Sequence, residues 1–259
     1  MFEFPDFLSP VALSFIGFDI RWYSLSYILG FIYFYWFAKK NKDSFNLNIK
    51  QIDNLFFYGF IGIIIGGRIG YFLFYNFSYL LKYPLDLLKI WEGGMSFHGA
   101  LIGCIFAIFY FTHKYNFSLY KISDLLSLTS PLGIFFGRLS NFANQELVGR
   151  QTNFLISVKY PGEEFYRHLS QLYESLLEGL IPFVFVNIIF IYYKPKIGLI
   201  TGIFLITYSI GRILIEFLRS PDIQIGLIFS NFTLGQILSI PILIIGLIIL
   251  FNVSSNSYR

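Results

Sequence analysis

Seven long apolar stretches divide this chain, and each is close to the roughly 20 residues that an α-helix needs to cross a bilayer. They occupy residues 21–38, 55–75, 95–112, 122–142, 172–193, 198–218 and 233–251. The composition agrees, because 13% of the residues are charged, about half of the roughly 25% that is usual in soluble domains. We therefore predict an all-α integral membrane protein, a bundle of about seven transmembrane helices that forms one polytopic domain over residues 1–259.

The lysines between these stretches predict the orientation of the bundle. The loops after the first, third and fifth stretches are rich in lysine and poor in acids, which is typical of cytoplasmic loops, whereas the intervening loops mix both signs. We therefore expect the N-terminus outside and the C-terminus in the cytoplasm. This placement indicates membrane orientation rather than nucleic-acid binding. The lysines concerned are Lys39, Lys40, Lys42, Lys50, Lys114, Lys121, Lys194 and Lys196.

Two segments on the predicted outer side belong to neither a span nor a short loop. Residues 143–170 form the longest connection and contain the turn signal Pro161-Gly162, so we expect a small external cap there. Residues 77–89 alternate aromatic or leucine residues with charged ones. That alternation is typical of an interfacial helix lying on the bilayer surface.

Charged side chains lie within the apolar stretches, and each would cost about 2.5–3.5 kcal/mol at the centre of a bilayer. Residues three or four positions apart share one helix face, so three of the stretches each carry a polar stripe. We expect the stripes to face inward and to assemble a single polar site. Such a site suits ligand binding, an ion or proton pathway in a transporter or channel, or a scaffold that only holds helices together. The stripes consist of Arg138, Asn141 and Asn144, of Gln171, Glu174 and Glu178, and of Arg212, Glu216 and Arg219.

The tract at residues 91–99 opens the third stretch from the predicted outer side. Its paired glycines, Gly93 and Gly94, allow the backbone to approach a ligand closely. His98 follows in the first turn of the helix, where the helix dipole disfavours an imidazolium, so a neutral imidazole could act as a base. Cys104 is the one cysteine and indicates neither a disulfide nor a metal site. We expect no metal and no organic cofactor.

Five motifs in a fixed order resemble the bacterial prolipoprotein diacylglyceryl transferases and cover nearly the whole chain. Residues 137–150 are similar to the family signature GR-x-x-NF-x-N-x-E-x-x-G, and residues 93–99 to its GGMSFHG. Residues 66–71 are similar to GGRIGY, residues 212–222 to R-x-x-x-EF-x-R-x-PD, and residues 21–23 to the WY near the first span. The chain departs from the family at four positions. The family usually has a small residue, often glycine, where this chain has Ser140, and a larger apolar residue where it has Ala143. It often has glycine at the position of Gln145 and usually proline at that of Leu169.

The resemblance implies a transferase of the bacterial cytoplasmic (inner) membrane. It would move the diacylglyceryl group of phosphatidylglycerol to the lipobox cysteine thiol of a prolipoprotein, forming a thioether and releasing glycerol phosphate. On this basis we expect His98 to take the thiol proton, Arg138 and Arg212 to bind the phosphate, and Tyr23 to orient the head group as a fourth catalytic residue. The partners would be phosphatidylglycerol, prolipoprotein signal peptides and membrane lipid, with no nucleic acid.

The remaining candidate residues are expected to bind substrate. Asn141 and Asn144 would donate hydrogen bonds to the head group, and Glu146 and Glu216 would position the arginines. Gly99 completes this set. The competing interpretation, a polytopic transporter or channel that uses the buried Arg, Glu and His residues, has less support, because the two halves show no repeat of the kind that many transporters have.

Overall fold

The computed structural model describes residues 1–15, 17–221, 226–228 and 231–255. Asp222, the last residue of the motif at 212–222, lies outside the described residues. The chain divides into two compact units. The first unit consists of Met1–Phe34 and Ser123–Arg259, and the second of Tyr35–Ile122.

Helical structure occupies each of the seven apolar stretches. Two short helices and two 3-10 turns, Pro84–Leu88 and Ile90–Glu92, lie between them. A π-helical turn, Ser175–Leu180, joins α7 and α8 into one segment. The helices are α1 (Trp22–Lys40), α2 (Lys42–Phe45), α3 (Ile49–Tyr75), α4 (Phe77–Lys82), α5 (Phe97–Tyr115), α6 (Leu119–Ala143), α7 (Ser170–Glu174), α8 (Ile181–Tyr193), α9 (Leu199–Ile215) and α10 (Leu234–Ser255).

Three helical segments among the described residues are long and apolar enough to cross a membrane by length and composition. They are Ile49–Tyr75, Ser170–Tyr193 and Leu234–Ser254, and Leu199–Ile215 is a shorter apolar helix. This confirms a largely helical membrane protein. The count of seven spans stays a prediction.

Five short strands accompany the helices in the part of the chain that the structure describes, so the all-α prediction was incomplete. In the first unit, β1 (Phe2–Glu3) pairs in parallel with β4 (Ser157–Lys159), which pairs antiparallel with β5 (Arg167–His168). The strands β2 (Val11–Phe15) and β3 (Phe18–Arg21) form an antiparallel pair. Strands of two to five residues are too short to show a period-two hydrophobic pattern, which is why the sequence did not reveal them.

The region predicted as a cap, residues 143–170, contributes β4 and β5 and packs on its own apolar cluster. Phe4, Val158, Tyr160 and Leu169 are buried together. Burial raises the pKa of Tyr160 to about 12. Its hydroxyl exchanges hydrogen bonds with the Gln171 side chain at 3.1 and 3.2 Å. The start of α7 is thereby attached to the cap.

In the second unit, α3 and α5 pack through a stripe of small residues. A side chain at Gly66 would overlap the carbonyl of Gly99, and one at Gly103 would overlap the carbonyl of Gly62. The spacing of four residues between the glycines of α3 predicts this close approach. Packing therefore accounts for the glycine at position 99.

Arg68 of α3 is a buried charge that the backbone neutralises. The side chain is 4% exposed. Its guanidinium donates to the carbonyl oxygens of Asp86, Leu87 and Lys89 at 2.6, 3.2 and 2.7 Å, and also to those of Gly93 and Gly94. These oxygens belong to the first 3-10 turn, to the residue between the two turns and to the glycine pair before α5. Arg68 thus fixes the loop between the predicted interfacial segment and α5.

Candidate functional site

Six charged side chains meet inside the first unit, from α6, the segment of α7 with its π-helical turn, and the end of α9. The two central carboxylates, Glu174 and Glu178, are 0% exposed, whereas the Arg138 side chain is 18% exposed. The charged residues of all three predicted polar stripes therefore meet, whereas Asn141, Asn144 and Gln171 of the same stripes contact other groups. This charged cluster consists of Arg138, Glu174, Glu178, Arg212, Glu216 and Arg219.

Arg138 and Arg212 share the same two carboxylates. Arg138 Nε and Nη2 donate to Glu178 Oε2 at 3.1 and 2.8 Å. Arg212 Nη1 donates to Glu174 Oε1 at 2.8 Å and to Glu178 Oε1 at 3.2 Å. Arg138 Nη1 lies 3.0 Å from Glu174 Oε2. Glu174 Oε2 accepts no hydrogen bond from the described residues, so this contact is an ion pair only.

A second pair extends the cluster along α9. Arg212 Nη2 pairs with Glu216. Arg219 Nη1 lies 3.4 Å from Glu216 Oε1 and 3.5 Å from Glu174 Oε1. Three arginines thus face three glutamates, so no charge in the cluster is left uncompensated, which is the condition under which buried charges are tolerated.

Local backbone features bring these groups into contact. The π-helical turn carries Glu178, and π turns recur at functional sites because they redirect side chains within a helix. A Cβ atom at Gly179 would lie 2.7 Å from Phe135 Cα, so this glycine allows α6 to approach closely. A Cβ atom at Gly235, in the first turn of α10, would overlap the Glu216 carboxylate and lie 3.0 Å from Arg212 Nη2, so this glycine leaves room for the Arg212–Glu216 pair.

A second polar group surrounds Glu146, just after α6. Tyr23 donates its hydroxyl proton to Glu146 Oε2 at 3.1 Å, and Asn144 Nδ2 donates to Oε1 at 3.3 Å. Asn141 Nδ2 donates to the Tyr23 hydroxyl and, at 3.4 Å, to Glu146 Oε2. Asn144 Oδ1 is buried and has no hydrogen-bond partner within the described part of the chain.

This Glu146 group corrects one expectation. Glu146 was expected to position the arginines, but the contacts of its carboxylate are with Tyr23, Asn141 and Asn144. The direction of the Glu146 side chain follows from a turn in the backbone, in which the flanking residues Gln145 and Leu147 have φ values of 58° and 55°. This turn brings the Glu146 N–H within 3.0 Å of the Asn141 carbonyl oxygen and directs the chain back over the end of α6.

Backbone pairing connects the segment after Glu146 to the end of α9. Arg150 N donates to Leu218 O at 2.8 Å, and Ser220 N donates to Val148 O at 3.1 Å. Arg150 Nε also donates to Arg219 O at 3.0 Å. The segment that carries Asn144 and Glu146 and the helix end that carries Arg219 are therefore held together.

His98 and Gly99 belong to the second unit. His98 lies in the first turn of α5, as expected, and its side chain is exposed. Ser96 caps this helix by accepting from Gly99 N at 3.2 Å. Among the described residues, the His98 ring contacts Phe97 and has no hydrogen bond. The roles predicted for His98 in proton transfer and for Gly99 in substrate binding stay predictions.

Comparison with known proteins agrees with the motifs. A family model described as "Prolipoprotein diacylglyceryl transferase" matches residues 10–252. This chain belongs to the prolipoprotein diacylglyceryl transferase family. It is 42% identical over 272 residues to the phosphatidylglycerol–prolipoprotein diacylglyceryl transferase of Wigglesworthia glossinidia brevipalpis, covering 96% of this chain and 97% of the relative. The same-named proteins of Aeromonas hydrophila and Ehrlichia ruminantium are 44% and 42% identical over 94% of this chain, and 90% and 96% of their own lengths are covered.

The structure explains one departure from the diacylglyceryl transferase pattern. Glycine is often found in the family where this chain has Gln145, and Gln145 adopts a left-handed backbone conformation. Glycine enters that region without steric cost, whereas a residue with a Cβ does not. A strained residue next to Glu146 is consistent with a backbone held in place for function.

Sequence reasoning placed Glu174, Glu178 and Arg219 in the polar stripes but gave them no catalytic or substrate-binding role. The signal that could have found them is charge balance, because buried arginines need carboxylate partners. Within the described residues, no group of three or more His, Cys, Asp or Glu side chains is arranged to hold a metal ion.

Proposed function

We propose that this chain transfers the diacylglyceryl group of phosphatidylglycerol to the cysteine thiol of a prolipoprotein. A thiolate sulfur attacks the glyceryl carbon that bears the phosphate, a C–S bond forms, and the C–O bond to phosphate breaks. Glycerol phosphate leaves with the bonding electrons, and the thiol proton passes to a base. Family membership and the names of the relatives support this reaction. They give no support to the transporter or channel interpretation.

The observation that carries the proposal is the pair of arginines that share two carboxylates. Glu174 and Glu178 orient the guanidinium groups of Arg138 and Arg212 without using all of their N–H donors. The remaining donors suit a phosphate, which binds guanidinium through charge-assisted hydrogen bonds. Arg138, at 18% exposed, is the more accessible of the two arginines and makes the principal phosphate contact.

The Glu146 group holds the rest of the head group. Because the Glu146 carboxylate accepts from Tyr23 and Asn144, their orientation is set before substrate arrives. Asn144 Oδ1, which has no hydrogen-bond partner among the described residues, accepts a hydroxyl of the head-group glycerol. Asn141 donates its two amide protons to Tyr23 and Glu146 and so orients both groups, and Glu216 pairs with Arg212.

His98 accepts the thiol proton, since a thiolate is the stronger nucleophile. The reacting cysteine belongs to the peptide, so the mechanism makes no use of Cys104. The protein acts in the bacterial inner membrane with seven spans, the N-terminus outside and the C-terminus in the cytoplasm. Its second substrate is the lipobox segment of a signal peptide.

The test is transfer by the purified protein in detergent. Phosphatidylglycerol labelled in its head group is incubated with a signal peptide that carries a lipobox cysteine. Release of labelled glycerol phosphate that requires the cysteine is the expected result. A protein that stays folded and releases none with any such peptide would refute the proposal.

Matched variants assign the roles. Arg138→Lys keeps the charge but loses the planar fork, and we expect at least a tenfold loss of transfer, whereas Arg21→Lys, at an exposed position, retains activity. His98→Asn should lower transfer across the whole pH range, with His113→Asn in the last turn of the same helix as its control. Full activity of His98→Asn at every pH would remove that residue from the chemistry.

A further inference from the structure

One end of the second unit is strongly basic. Residues 35–58 and 110–122 contain six lysines and two aspartates, a net charge of +4. This end comprises the C-terminal end of α1, the short helix α2, the N-terminal end of α3 and the C-terminal end of α5. The lysines are not equivalent, because their surroundings differ.

Lys114, in the last turn of α5, is an exposed residue that contacts three tyrosines. Its ammonium donates to the hydroxyl oxygens of Tyr58 at 2.9 Å and Tyr110 at 3.5 Å. It also lies 5.3, 5.5 and 5.7 Å from the ring centroids of Tyr58, Tyr110 and Tyr115. Asn54 anchors the third ring by donating to the Tyr115 hydroxyl at 2.6 Å. Within the described chain, Lys114 has no carboxylate partner.

The other aromatic-stacked lysines at this end lack that arrangement. Lys39 lies 4.2 Å from the Tyr35 ring centroid, but the Tyr35 hydroxyl donates to Asp53 at 2.7 Å, so a carboxylate already takes its proton. Lys40 lies 4.9 Å from the Trp36 ring centroid, and indole offers no hydroxyl.

The donor groups around Lys114 lie close together, since both tyrosine hydroxyls are within 3.5 Å of its ammonium. Because the Tyr58 and Tyr110 oxygens accept protons from the ammonium, their own O–H protons are directed away from it. The ammonium keeps a further proton beyond the two that it donates to these tyrosines. Two hydroxyls and one ammonium, which has no carboxylate partner among the described residues, match the non-bridging oxygens of a phosphodiester.

We propose that Lys114, Tyr58 and Tyr110 bind the phosphate of an anionic phospholipid head group. The helix end is the expected level of lipid phosphates for a span, and basic residues next to spans attract anionic lipids. The tyrosine rings suit the same level of the bilayer. The proposed lipid is held at this Lys114 site without reacting, so the site does not depend on the transfer reaction proposed above.

The test uses delipidated protein in detergent and native mass spectrometry, which counts bound lipids. Short-chain phosphatidylglycerol is titrated against wild type, Lys114→Gln, Lys114→Arg and a Tyr58→Phe/Tyr110→Phe double variant. Lys40→Gln is the matched control, because it removes one positive charge from the same end. Phosphatidylcholine and glycerol 3-phosphate, titrated separately, distinguish an anionic lipid from any lipid and from free phosphate.

We expect Lys114→Gln to lose one bound phosphatidylglycerol, with an affinity at that site at least tenfold lower. The tyrosine double variant should weaken it about as much, Lys114→Arg should retain most of the binding, and Lys40→Gln should match wild type. If Lys114→Gln and Lys40→Gln lost phosphatidylglycerol binding equally, the effect would be general electrostatic attraction and the proposal would be wrong. Binding of phosphatidylcholine as tight as that of phosphatidylglycerol, or tight binding of free glycerol 3-phosphate, would also overturn it. Transfer of the diacylglyceryl group by Lys114→Gln in detergent should equal that of wild type. Lipid binding at the Lys114 site is thereby tested separately from the proposed transferase function.

Discussion

Replacing Glu178 by glutamine tests whether the charged cluster depends on its charge balance. Glu178 is 0% exposed and accepts three hydrogen bonds, at 3.1 and 2.8 Å from Arg138 and at 3.2 Å from Arg212. Glutamine has nearly the same shape, but one of its two terminal atoms is an NH2 group, which would face a guanidinium. The buried cluster would also keep three arginines against two carboxylates.

Removing one partner of a buried ion pair costs about 3–5 kcal/mol because the other charge stays buried and unpaired. That is a large part of the roughly 5–15 kcal/mol by which most folded proteins are stable. In the unfolding equilibrium it corresponds to a change of about 150-fold to 5,000-fold. We therefore expect Glu178→Gln to unfold at a much lower temperature or denaturant concentration than wild type.

The assay is reversible unfolding in detergent, followed by circular dichroism. The matched control is Glu163→Gln, because Glu163 pairs with Arg167 at 2.7 Å but is 25% exposed, and pairs near the surface contribute about 0–1 kcal/mol. If Glu178→Gln and Glu163→Gln lowered the free energy of unfolding equally, by 1 kcal/mol or less, the argument from buried charge balance would be wrong.

Three further predictions concern stability and function. Gln145→Gly should raise the free energy of unfolding by up to about 1 kcal/mol, because glycine relieves the left-handed backbone; a lower melting temperature would contradict this. Gly235→Ala should place a methyl group against the charged cluster and reduce transfer at least tenfold, whereas Gly59→Ala, where a Cβ meets nothing within 4 Å, should leave transfer unchanged in the same assay. Burial lowers the pKa of His168, so the imidazole binds a proton more readily in the unfolded chain than in the folded protein. The free energy of unfolding should therefore fall as the pH drops below about 6.5. Unfolding midpoints at pH 7.5 and 5.5 should therefore differ less in His168→Gln than in wild type, and His113→Gln should behave as wild type does.

The sequence alone was sufficient for the class of protein and for the helices. An apolar run of about 20 residues crosses lipid as a helix, because a helix forms all of its backbone hydrogen bonds within the segment. The small-residue stripe of α3 and the polar stripes of α6 and α9 also followed from spacing, because helical periodicity is a local property. The order of five motifs was enough to indicate the family, which the comparisons then confirmed.

Only the tertiary structure decided which charged groups became partners. Arg138 and Glu178 are 40 residues apart, and Arg212 and Glu174 are 38 apart, so their contact depends on how helices cross. The direction of Glu146 depended on two left-handed residues, and the purpose of Arg68 on a loop that folds over it. Spacing within a helix determines which side chains share a face, but the partner that the face meets is determined by packing between segments distant in the chain.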